Sequence, residues 1–254
     1  MLQLNRFWRF CVTAFSFFAF GAGGLCLTVL WFPLVSLFTR EKSRRKMIAQ
    51  VTIRQAFRLF ISMMKWLGAL DVVVEGREEL QNDKGCIIVA NHPSLIDYVL
   101  VTSLLPQCDC IVKESMWKNL FARGSVAAAG YIPNTDTGDM LTRCDKTLKS
   151  GNVLLIFPEG TRTVPGQPLN LKRGAAHIAV RTHCKIRIVH IQCNPSILGK
   201  HEKWYKVPHE KPIFLVQVKE KVSIQKFVEG CPPAAIAARH LTEYLSQKLV
   251  PKVV

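Results

Sequence analysis

A long stretch near the N-terminus without a charged side chain sets the first limit on how this chain folds. No Asp, Glu, Lys or Arg lies between Arg9 and Arg40, and most of the residues in between are aromatic or aliphatic. A helix that crosses a bilayer needs about 20 apolar residues. The stretch is therefore expected to be embedded in a membrane, as one tilted span or as a short re-entrant pair broken at residues 21–24. A cleaved signal peptide is disfavoured, because the run is longer than a usual signal core and lacks a small-residue cleavage site.

Basic residues follow this stretch at once. Residues 40–46 contain five Lys or Arg and one Glu, whereas Arg6 and Arg9 are the basic side chains that precede it. Because the cytoplasmic flanks of membrane segments are rich in Lys and Arg, the rest of the chain is expected on the cytoplasmic face of the membrane. A re-entrant pair whose two ends both stay cytoplasmic leads to the same side.

The composition indicates a reducing compartment and an anionic partner. Nine cysteines, an odd number, fit a reducing compartment better than a disulfide framework. The close pair Cys108 and Cys110 has no second Cys or His pair at ligand spacing, so no metal site is predicted. The formal charge of +16 requires an anionic partner. Scattered basic residues without an aromatic-basic motif argue against nucleic acid and favour the lipids of an anionic membrane leaflet, and the same field would steer an acidic acyl-carrier protein.

Three parts are predicted along the chain: a membrane segment with its basic flank (1–46), a helix (47–70) and an α/β domain (71–254). The apolar spacing in 47–70 fits a juxtamembrane amphipathic helix and an ordinary core helix equally well. Beyond Asp71, strand and helix patterns alternate, which is typical of an α/β sheet flanked by helices. Strands are predicted at 72–74, 86–90, 110–112, 153–157, 186–192 and 213–218, and helices at 95–105, 140–149, 175–182 and 234–249.

His92 and Asp97 are the first candidates for chemistry. They follow the predicted strand 86–90, and Pro93 is well placed as the first residue of a helix. With a helix start at Pro93, His92 lies at the cap and its ring can fold back toward Asp97. A carboxylate on one imidazole nitrogen fixes the tautomer and raises the basicity of the other nitrogen, as a general base requires. By spacing alone, such a pair is more often structural than catalytic.

The second candidate is the loop Phe157-Pro158-Glu159-Gly160-Thr161-Arg162, which lies at the end of a predicted buried strand. Ligands of α/β sheets collect beyond the carboxyl ends of the strands. Gly160 permits close approach of the backbone, Thr161 offers a hydroxyl, and Arg162 has a planar fork suited to phosphate or carboxylate. Glu159 would neutralise or orient such a cation. Taken alone, the loop also fits a structural Glu/Arg pair in a tight turn.

Together, the patterns Asn91-His92-x4-Asp97 and Phe157-Pro158-Glu159-Gly160-Thr161-Arg162 resemble the motifs of the glycerolipid acyltransferase family, whose familiar member acylates lysophosphatidic acid. The resemblance covers about residues 72–218. It implies a glycerolipid-acyltransferase-like sheet, His92 as general base on an acceptor hydroxyl, Asp97 as its partner, and residues 159–162 in the acceptor site. It also implies an acyl thioester donor, acyl-CoA or acyl-carrier protein, with no cofactor, metal or covalent enzyme intermediate.

Three further basic residues match this resemblance. Lys113, after the predicted strand 110–112, resembles a basic residue of the family's acceptor region. Lys172 and Arg173 resemble another basic element, and they stand at a predicted helix start, where cations could hold an anionic head group. Solvated surface residues are the alternative interpretation for all three.

One block departs from the family. Where enzymes that bind glycerol phosphates usually carry Gly-x-Ile-x-Ile-x-Arg, residues 130–136 end in Asp136. An anion in place of a cation reverses the sign of the interaction with a phosphate, which questions the usual acceptor. The block is similar to a bacterial branch associated with aryl polyene pathways. That similarity implies an unusual acyl chain or a non-phosphorylated acceptor, and location at a bacterial inner membrane.

The sequence thus predicts a membrane-bound O-acyltransferase that moves an acyl chain from a thioester to the hydroxyl of a lysophosphatidic-acid-like lipid. Two alternatives stay open. One is an acyltransferase of the aryl polyene type, and the other is a non-catalytic, membrane-tethered lipid-binding protein.

Overall fold

The structure, a computed structural model, describes residues 2–119, 122–134, 137–230 and 233–250. Seven strands form one sheet: β1 (Asp71–Glu75), β2 (Ile87–Ala90), β3 (Cys108–Val112), β4 (Ile132–Pro133), β5 (Val153–Ile156), β6 (Ile186–Asn194) and β7 (Ile213–Val222). Their spatial order is β1-β7-β6-β2-β5-β3-β4. β7 is antiparallel to β6, and the other neighbouring pairs are parallel, so the sheet is mixed.

The described helices are α1 (Leu2–Cys26), α2 (Phe32–Phe38), α3 (Lys42–Trp66), α4 (Arg77–Asn82), α5 (Asp97–Leu104), α6 (Glu114–Lys118), α7 (Arg123–Ala128), α8 (Thr137–Lys149), α9 (Gly174–Thr182), α10 (Gln225–Val228) and α11 (Ala234–Lys248). A π-helical turn, Leu27–Trp31, joins α1 to α2. The uncharged stretch is therefore one nearly continuous helical run that turns back into α3.

Helices cover both faces of the sheet. Along β2, Ile88 and Ala90 pack into the core shared with α3 and α5, whereas Ile87 and Val89 pack into the core shared with α9 and α11. This alternation follows from the two-residue period of a strand. All four residues of β2 are buried, as expected for a parallel strand covered on both sides. The predicted α/β sheet flanked by helices is confirmed.

The elements that were not predicted are all short. Helices α4, α6, α7 and α10 and strand β4 have six residues or fewer. A segment of this length contains less than two helical turns, so its apolar residues do not repeat often enough to reveal a period.

The N-terminal helical run has one buried side and one exposed side. Among the described residues, one helix, Gln3–Phe38, is long and apolar enough to cross a membrane. Val12 and Phe32 on this run belong to the buried cores. The opposite side exposes large apolar side chains, among them Phe7, Trp8, Phe18, Leu37 and Phe38. The prediction of a long apolar N-terminal helix is confirmed, and the exposed side is a surface suited to a lipid environment.

Candidate active site

Two loops meet at the carboxyl end of the central strands. β2 and β5 are adjacent and parallel, with Val89 paired to Ile156. His92 follows β2 after one residue, and residues 157–163 follow β5. Because parallel neighbours end at the same edge of a sheet, two motifs that are distant in the sequence form one site.

The His92 ring and the Asp97 carboxylate are directly paired. Nδ1 of His92 lies 2.9 Å from Oδ2 of Asp97, and the backbone N–H of Ser94 donates to the same oxygen at 2.7 Å. Asp97 is fully buried, and this burial raises the pKa of its carboxyl against the opposing effect of the hydrogen bonds from His92 and Ser94. A proton on Nδ1 that faces Asp97 leaves Nε2 of the imidazole as the basic atom.

The helix after this pair begins later than predicted. α5 starts at Asp97, two residues after the start of the predicted helix 95–105 and four residues after Pro93. The N–H of Ser94 donates to the Asp97 carboxylate, and the N–H of Leu95 donates to the carbonyl of Leu198 at 3.1 Å. These two bonds hold the segment in a turn, and the ring reaches Asp97 across that turn. The N–H groups of Ser94 and Leu95 are therefore both engaged within the protein.

His92 is also held through its backbone. Its N–H lies 3.1 Å from both Oε1 of Glu159 and Oγ1 of Thr163, and its carbonyl accepts the N–H of Thr163 at 2.7 Å. The hydroxyl of Thr163 donates to Oε1 of Glu159 at 2.7 Å. Glu159 thus supports the His92 backbone, whereas the sequence suggested that it orients Arg162. Thr163 was missed, and the available signal was a second hydroxyl directly after the loop.

The two strands beside β2 hold the neighbours of the imidazole. The Asn91 side chain donates to the carbonyl of Ile191 on β6 at 2.8 Å and accepts the N–H of that residue at 2.7 Å. Phe157, directly after β5, stacks on the His92 ring with the centroids 4.3 Å apart. The position of the ring therefore depends on both neighbouring strands.

An apolar cavity of about 450 Å³ opens beside the His92 imidazole. Its wall comes from α1, from α3, from β3 and the residues after it, and from the loop between β6 and β7. Most of the wall is aromatic or aliphatic, with Phe17, Phe20, Phe60, Met64, Tyr98 and Phe157 among its members. A cavity of this size and lining, open to a base, suits the apolar chain of a lipid substrate.

Two of the predicted binding residues have clear neighbours at the site. Lys113 lines the cavity together with His92. Arg162 does not line the cavity, but its Nη1 donates to the carbonyl of Leu198, which does, and to the carbonyl of Gly199, both at 2.8 Å. The guanidinium therefore supports the start of the loop between β6 and β7, whatever else it binds.

The remaining predicted residues do not line the cavity. Gly160 has a φ of +65°, in the left-handed region that favours glycine, and a Cβ there would come within 3.0 Å of the Lys172 side chain. Arg173 is the N-cap residue of α9, and Thr161 is exposed. The structure thus brings Lys172 against the loop, while Arg173 and Thr161 face solvent. Their assignment to substrate binding stays a prediction.

Two further expectations concern a metal and the acceptor block. Among the described residues, no group of three or more His, Cys, Asp or Glu side chains is arranged to hold a metal ion. Asp136, at the place of the family's phosphate-binding Arg, lies outside the described residues. Earlier in that block, Tyr131 lines the cavity. The block therefore reaches the site at least through this side chain.

Comparison with known proteins gives acyltransferases as relatives. The acyltransferase family model matches residues 71–193, which include both motifs. A 1-acyl-sn-glycerol-3-phosphate acyltransferase from Cocos nucifera is 32% identical over 152 residues, which are 57% of this chain and 46% of that protein. The 1-acyl-sn-glycerol-3-phosphate acyltransferase alpha of Homo sapiens is 30% identical over 188 residues, which are 71% of this chain and 61% of that protein. The chain therefore spans about half to three fifths of the length of these two relatives.

A solved structure shares the fold. The crystal structure of the 1-acyl-sn-glycerophosphate (LPA) acyltransferase PlsC from Thermotoga maritima matches with a TM-score of 0.69, and the match covers 98% of this chain and 96% of that chain. The sequence identity is 21%. At this identity, the similarity concerns the arrangement of the elements.

Proposed function

Because the chain belongs to the acyltransferase family, we propose that it is a membrane-associated O-acyltransferase of the 1-acylglycerol-3-phosphate type. In this proposal, it moves an acyl chain from a thioester of coenzyme A or of an acyl-carrier protein to the hydroxyl of a lysophosphatidic-acid-like lipid. The names of the relatives support the reaction, and the solved structure supports the fold.

One observation carries the proposal. The His92 imidazole is oriented by the fully buried Asp97 and lines an apolar cavity. A His/Asp pair that only stabilises the fold does not require contact between its ring and a cavity of this size. The arrangement provides a base and a space for an apolar chain in the same place, which acyl transfer to a lipid hydroxyl requires.

The proposed reaction uses this geometry. Nε2 of His92 removes the proton of the acceptor hydroxyl as its oxygen attacks the thioester carbonyl. The resulting imidazolium is stabilised by the Asp97 carboxylate. When the tetrahedral intermediate collapses, the carbon–sulfur bond breaks, and the imidazolium returns the proton to the leaving thiolate. The products are the acylated lipid and a free thiol, and His92 is again neutral.

The direct test is acyl transfer by the purified protein in neutral detergent, with acyl-CoA and acyl-carrier-protein donors. His92→Ala should lower kcat/KM by about 100-fold or more, because a general base contributes at least that factor. His240→Ala, a change at an exposed histidine of α11, is the matched control and should leave the rate unchanged. Near-normal turnover by His92→Ala would disprove the role of the dyad. Absence of any thioester consumption by the wild type would favour the lipid-binding alternative.

The acceptor is identified in the same assay. Lysophosphatidic acid should be preferred over a non-phosphorylated acceptor of the same chain length. Asp136→Arg tests the departure noted in the sequence, because it restores the cation that the family carries at this position. A wild type that prefers the non-phosphorylated acceptor, with a preference that Asp136→Arg reverses, would support the aryl polyene alternative.

For the location, we propose that the N-terminal helix lies along the cytoplasmic leaflet of a bacterial inner membrane and does not cross it. Nη2 of Arg9, nearly fully buried, donates to the carbonyls of Pro208 and His209, and Val12 and Phe32 pack into the cores. A helix that is covered by the domain along one side has only its other side available to hydrocarbon.

Cysteine labelling tests this location. In a background without the accessible native cysteines, Gln3→Cys and Ser43→Cys should both react with a membrane-impermeant maleimide in inverted vesicles, and neither should react in spheroplasts. Labelling of Gln3→Cys from the periplasmic side would instead establish a full span.

A further inference from the structure

The ionisable Lys and His residues of the described cavity wall are not balanced by acidic residues. Besides His92, the ionisable side chains of basic residues that line the described wall are Lys113 and Lys206, and no Asp or Glu side chain contributes to it. Two ammonium groups at the rim of a mostly apolar surface attract an anion, and the apolar surface accepts a lipid chain. A ligand that fits this wall is an amphiphile with an apolar chain and an anionic group.

Lys206 is placed by a loop that the catalytic motifs do not include. It lies on residues 199–212, which we call the mouth loop, between β6 and β7 and beyond the part of the chain that the family model matches. Arg162 holds the start of this loop through the carbonyls of Leu198 and Gly199. The motif loop therefore determines where the mouth loop begins.

Helix α1 holds the mouth loop directly after Lys206 in the sequence. Nε of Arg6 donates to the carbonyl of Val207 at 3.0 Å. Nη2 of Arg9 donates to the carbonyls of the next two residues at 2.9 and 2.6 Å. The backbone next to Lys206 is thus held by two arginines, although the loop has no regular secondary structure.

Trp204 adds a third point of attachment for the mouth loop. Its ring stacks on Phe10 with the centroids 6.0 Å apart and contacts Phe17 at 5.8 Å. Both phenylalanines belong to α1, so the loop and the apolar helix form one packed unit. The position of Lys206 follows from that unit.

The ammonium group itself is available to a ligand. Nζ of Lys206 lies 3.8 Å from the Glu202 carboxylate, and its side chain is 71% exposed. A distant ion pair in water contributes little to stability. A phosphate oxygen that approaches the ammonium makes a shorter, charge-assisted hydrogen bond.

Building on the proposed function, we propose that Lys206 binds the phosphate group of the lipid acceptor and holds it at the mouth of the cavity together with Lys113. A phosphate monoester carries close to two negative charges at neutral pH, which match two cations. The donor also contains phosphate groups, so the shared chemistry is a phosphate at the mouth. We assign the acceptor phosphate because it lies one carbon from the reacting hydroxyl, and that hydroxyl must reach His92 on the same wall.

Equilibrium binding tests the assignment without turnover. Calorimetry in neutral detergent compares lysophosphatidic acid with a monoacylglycerol of the same chain, for the wild type and for Lys206→Met. The variant should bind lysophosphatidic acid about tenfold more weakly or worse, the loss expected for a hydrogen bond between charged groups, and should bind the monoacylglycerol unchanged. Lys206→Arg should recover most of the affinity.

Lys203→Met is the matched control, because Lys203 lies on the same loop, its ammonium lies over the Tyr205 ring, and it does not line the cavity. It should bind both lipids as the wild type does. Equal affinity of Lys206→Met and the wild type for lysophosphatidic acid overturns the proposal. So does a higher KM for acyl-CoA with unchanged lipid binding, since the cation then serves the donor. If the protein transfers no acyl group but binds lysophosphatidic acid selectively through Lys206, the assignment of Lys206 holds and the proposed function is wrong.

Discussion

Asp97 and Asp109 are both fully buried, but their surroundings differ. Asp109 on β3 accepts from three side chains, with Nζ of Lys46 at 2.8 Å and the amide groups of Gln50 and Asn152 at 3.0 Å each, and both of its oxygens have partners. Asp97 receives its two donors on Oδ2, and its Oδ1 has no partner among the described side chains and backbone groups.

This difference separates a carboxylate that only joins elements of the fold from the one proposed to act in catalysis. The donors of Asp109 join α3, β3 and the start of β5, and Gln50 also donates to the carbonyl of Ala129. The ring that Asp97 holds has a second nitrogen and lines a cavity. Loss of one partner of a buried, hydrogen-bonded charge is strongly destabilising, whereas the proposed role of Asp97 acts through the imidazole that it orients. The same substitution at the two positions should therefore have opposite consequences.

The largest effect is expected for Asp97→Asn. An amide oxygen in place of Oδ2 can still accept from the Ser94 N–H and from Nδ1–H of His92, but the neutral amide no longer stabilises the imidazolium that forms when His92 takes up a proton. The value of kcat should fall by about 100-fold or more, with a small change in the unfolding temperature. Steady-state kinetics and thermal unfolding in detergent measure the two quantities. A variant that unfolds early and keeps its turnover would show that Asp97 is structural, like Asp109.

Asp109→Asn should show the reverse pattern. The amide group of the new side chain opposes at least one of its three donors, which leaves buried polar groups unpaired. A loss of about 3 kcal/mol in the free energy of unfolding is expected, with kcat per folded molecule within about twofold of the wild type. Lys46→Met is the control with a smaller loss, because the Lys46 side chain is 31% exposed. A collapse of kcat in fully folded Asp109→Asn contradicts the comparison.

A smaller effect on turnover is expected from Thr163→Val, which tests how firmly the ring must be held. Valine removes the hydroxyl that accepts from His92 and donates to Glu159, and it keeps the backbone bond to the His92 carbonyl. The loss of a hydrogen bond worth about 1 kcal/mol that positions the ring should lower kcat by roughly fivefold, without a change in the KM of either substrate. Thr163→Ser restores the hydroxyl and should recover the rate. Equal rates for the Val and Ser variants would show that Glu159 alone positions the base.

The smallest effect concerns His190, a buried titratable group with a structural partner. Its ring lies with Nε2 2.6 Å from the carbonyl of Lys248, and burial lowers the pKa of the imidazole below its ordinary value. Since protonation is easier in the unfolded chain, the stability from this group is complete above about pH 6.5 and is lost as the pH falls from there toward the lower pKa of the folded state.

The pH dependence of unfolding measures this contribution. His190→Gln should be less stable than the wild type at pH 7.5 by about 1 kcal/mol, the value of one hydrogen bond, and the difference should shrink at pH 5.5. Turnover at pH 7.5 should not change. A difference that grows on acidification would mean that the folded protein holds His190 in its protonated form.

Much of the fold could be predicted because its signals are local. The runs that became β2 and β5 are continuous and apolar, and they lie between turn residues, so their type follows from the residues themselves. The short helices could not be predicted, because so few residues do not show an apolar period. The start of α5 was predicted at Pro93, where local preference is strong. The N–H of Leu95 instead bonds to Leu198, and a partner so far along the chain cannot be deduced from the residues around Pro93.

The candidate site divides in the same way. His92 and Asp97 could be paired from the sequence because a strand end and a turn bring residues five positions apart together. The support from Glu159 and Thr163 was not predicted in this form, because it depends on β2 and β5 being neighbours in the sheet. The departure from the family pattern at Asp136 is visible in the sequence, and Asp136 lies outside the described residues.

The residues alone determined that this chain has an apolar N-terminal helix, an α/β sheet and a histidine paired with a carboxylate. Period and spacing reveal these features because they act within one segment. The folded arrangement was needed to show that Lys206, from a loop beyond both motifs, lies on the same cavity wall as His92 and Lys113. That loop has no pattern of its own, and its position depends on contacts of Arg6, Arg9 and Trp204 between the two ends of the chain.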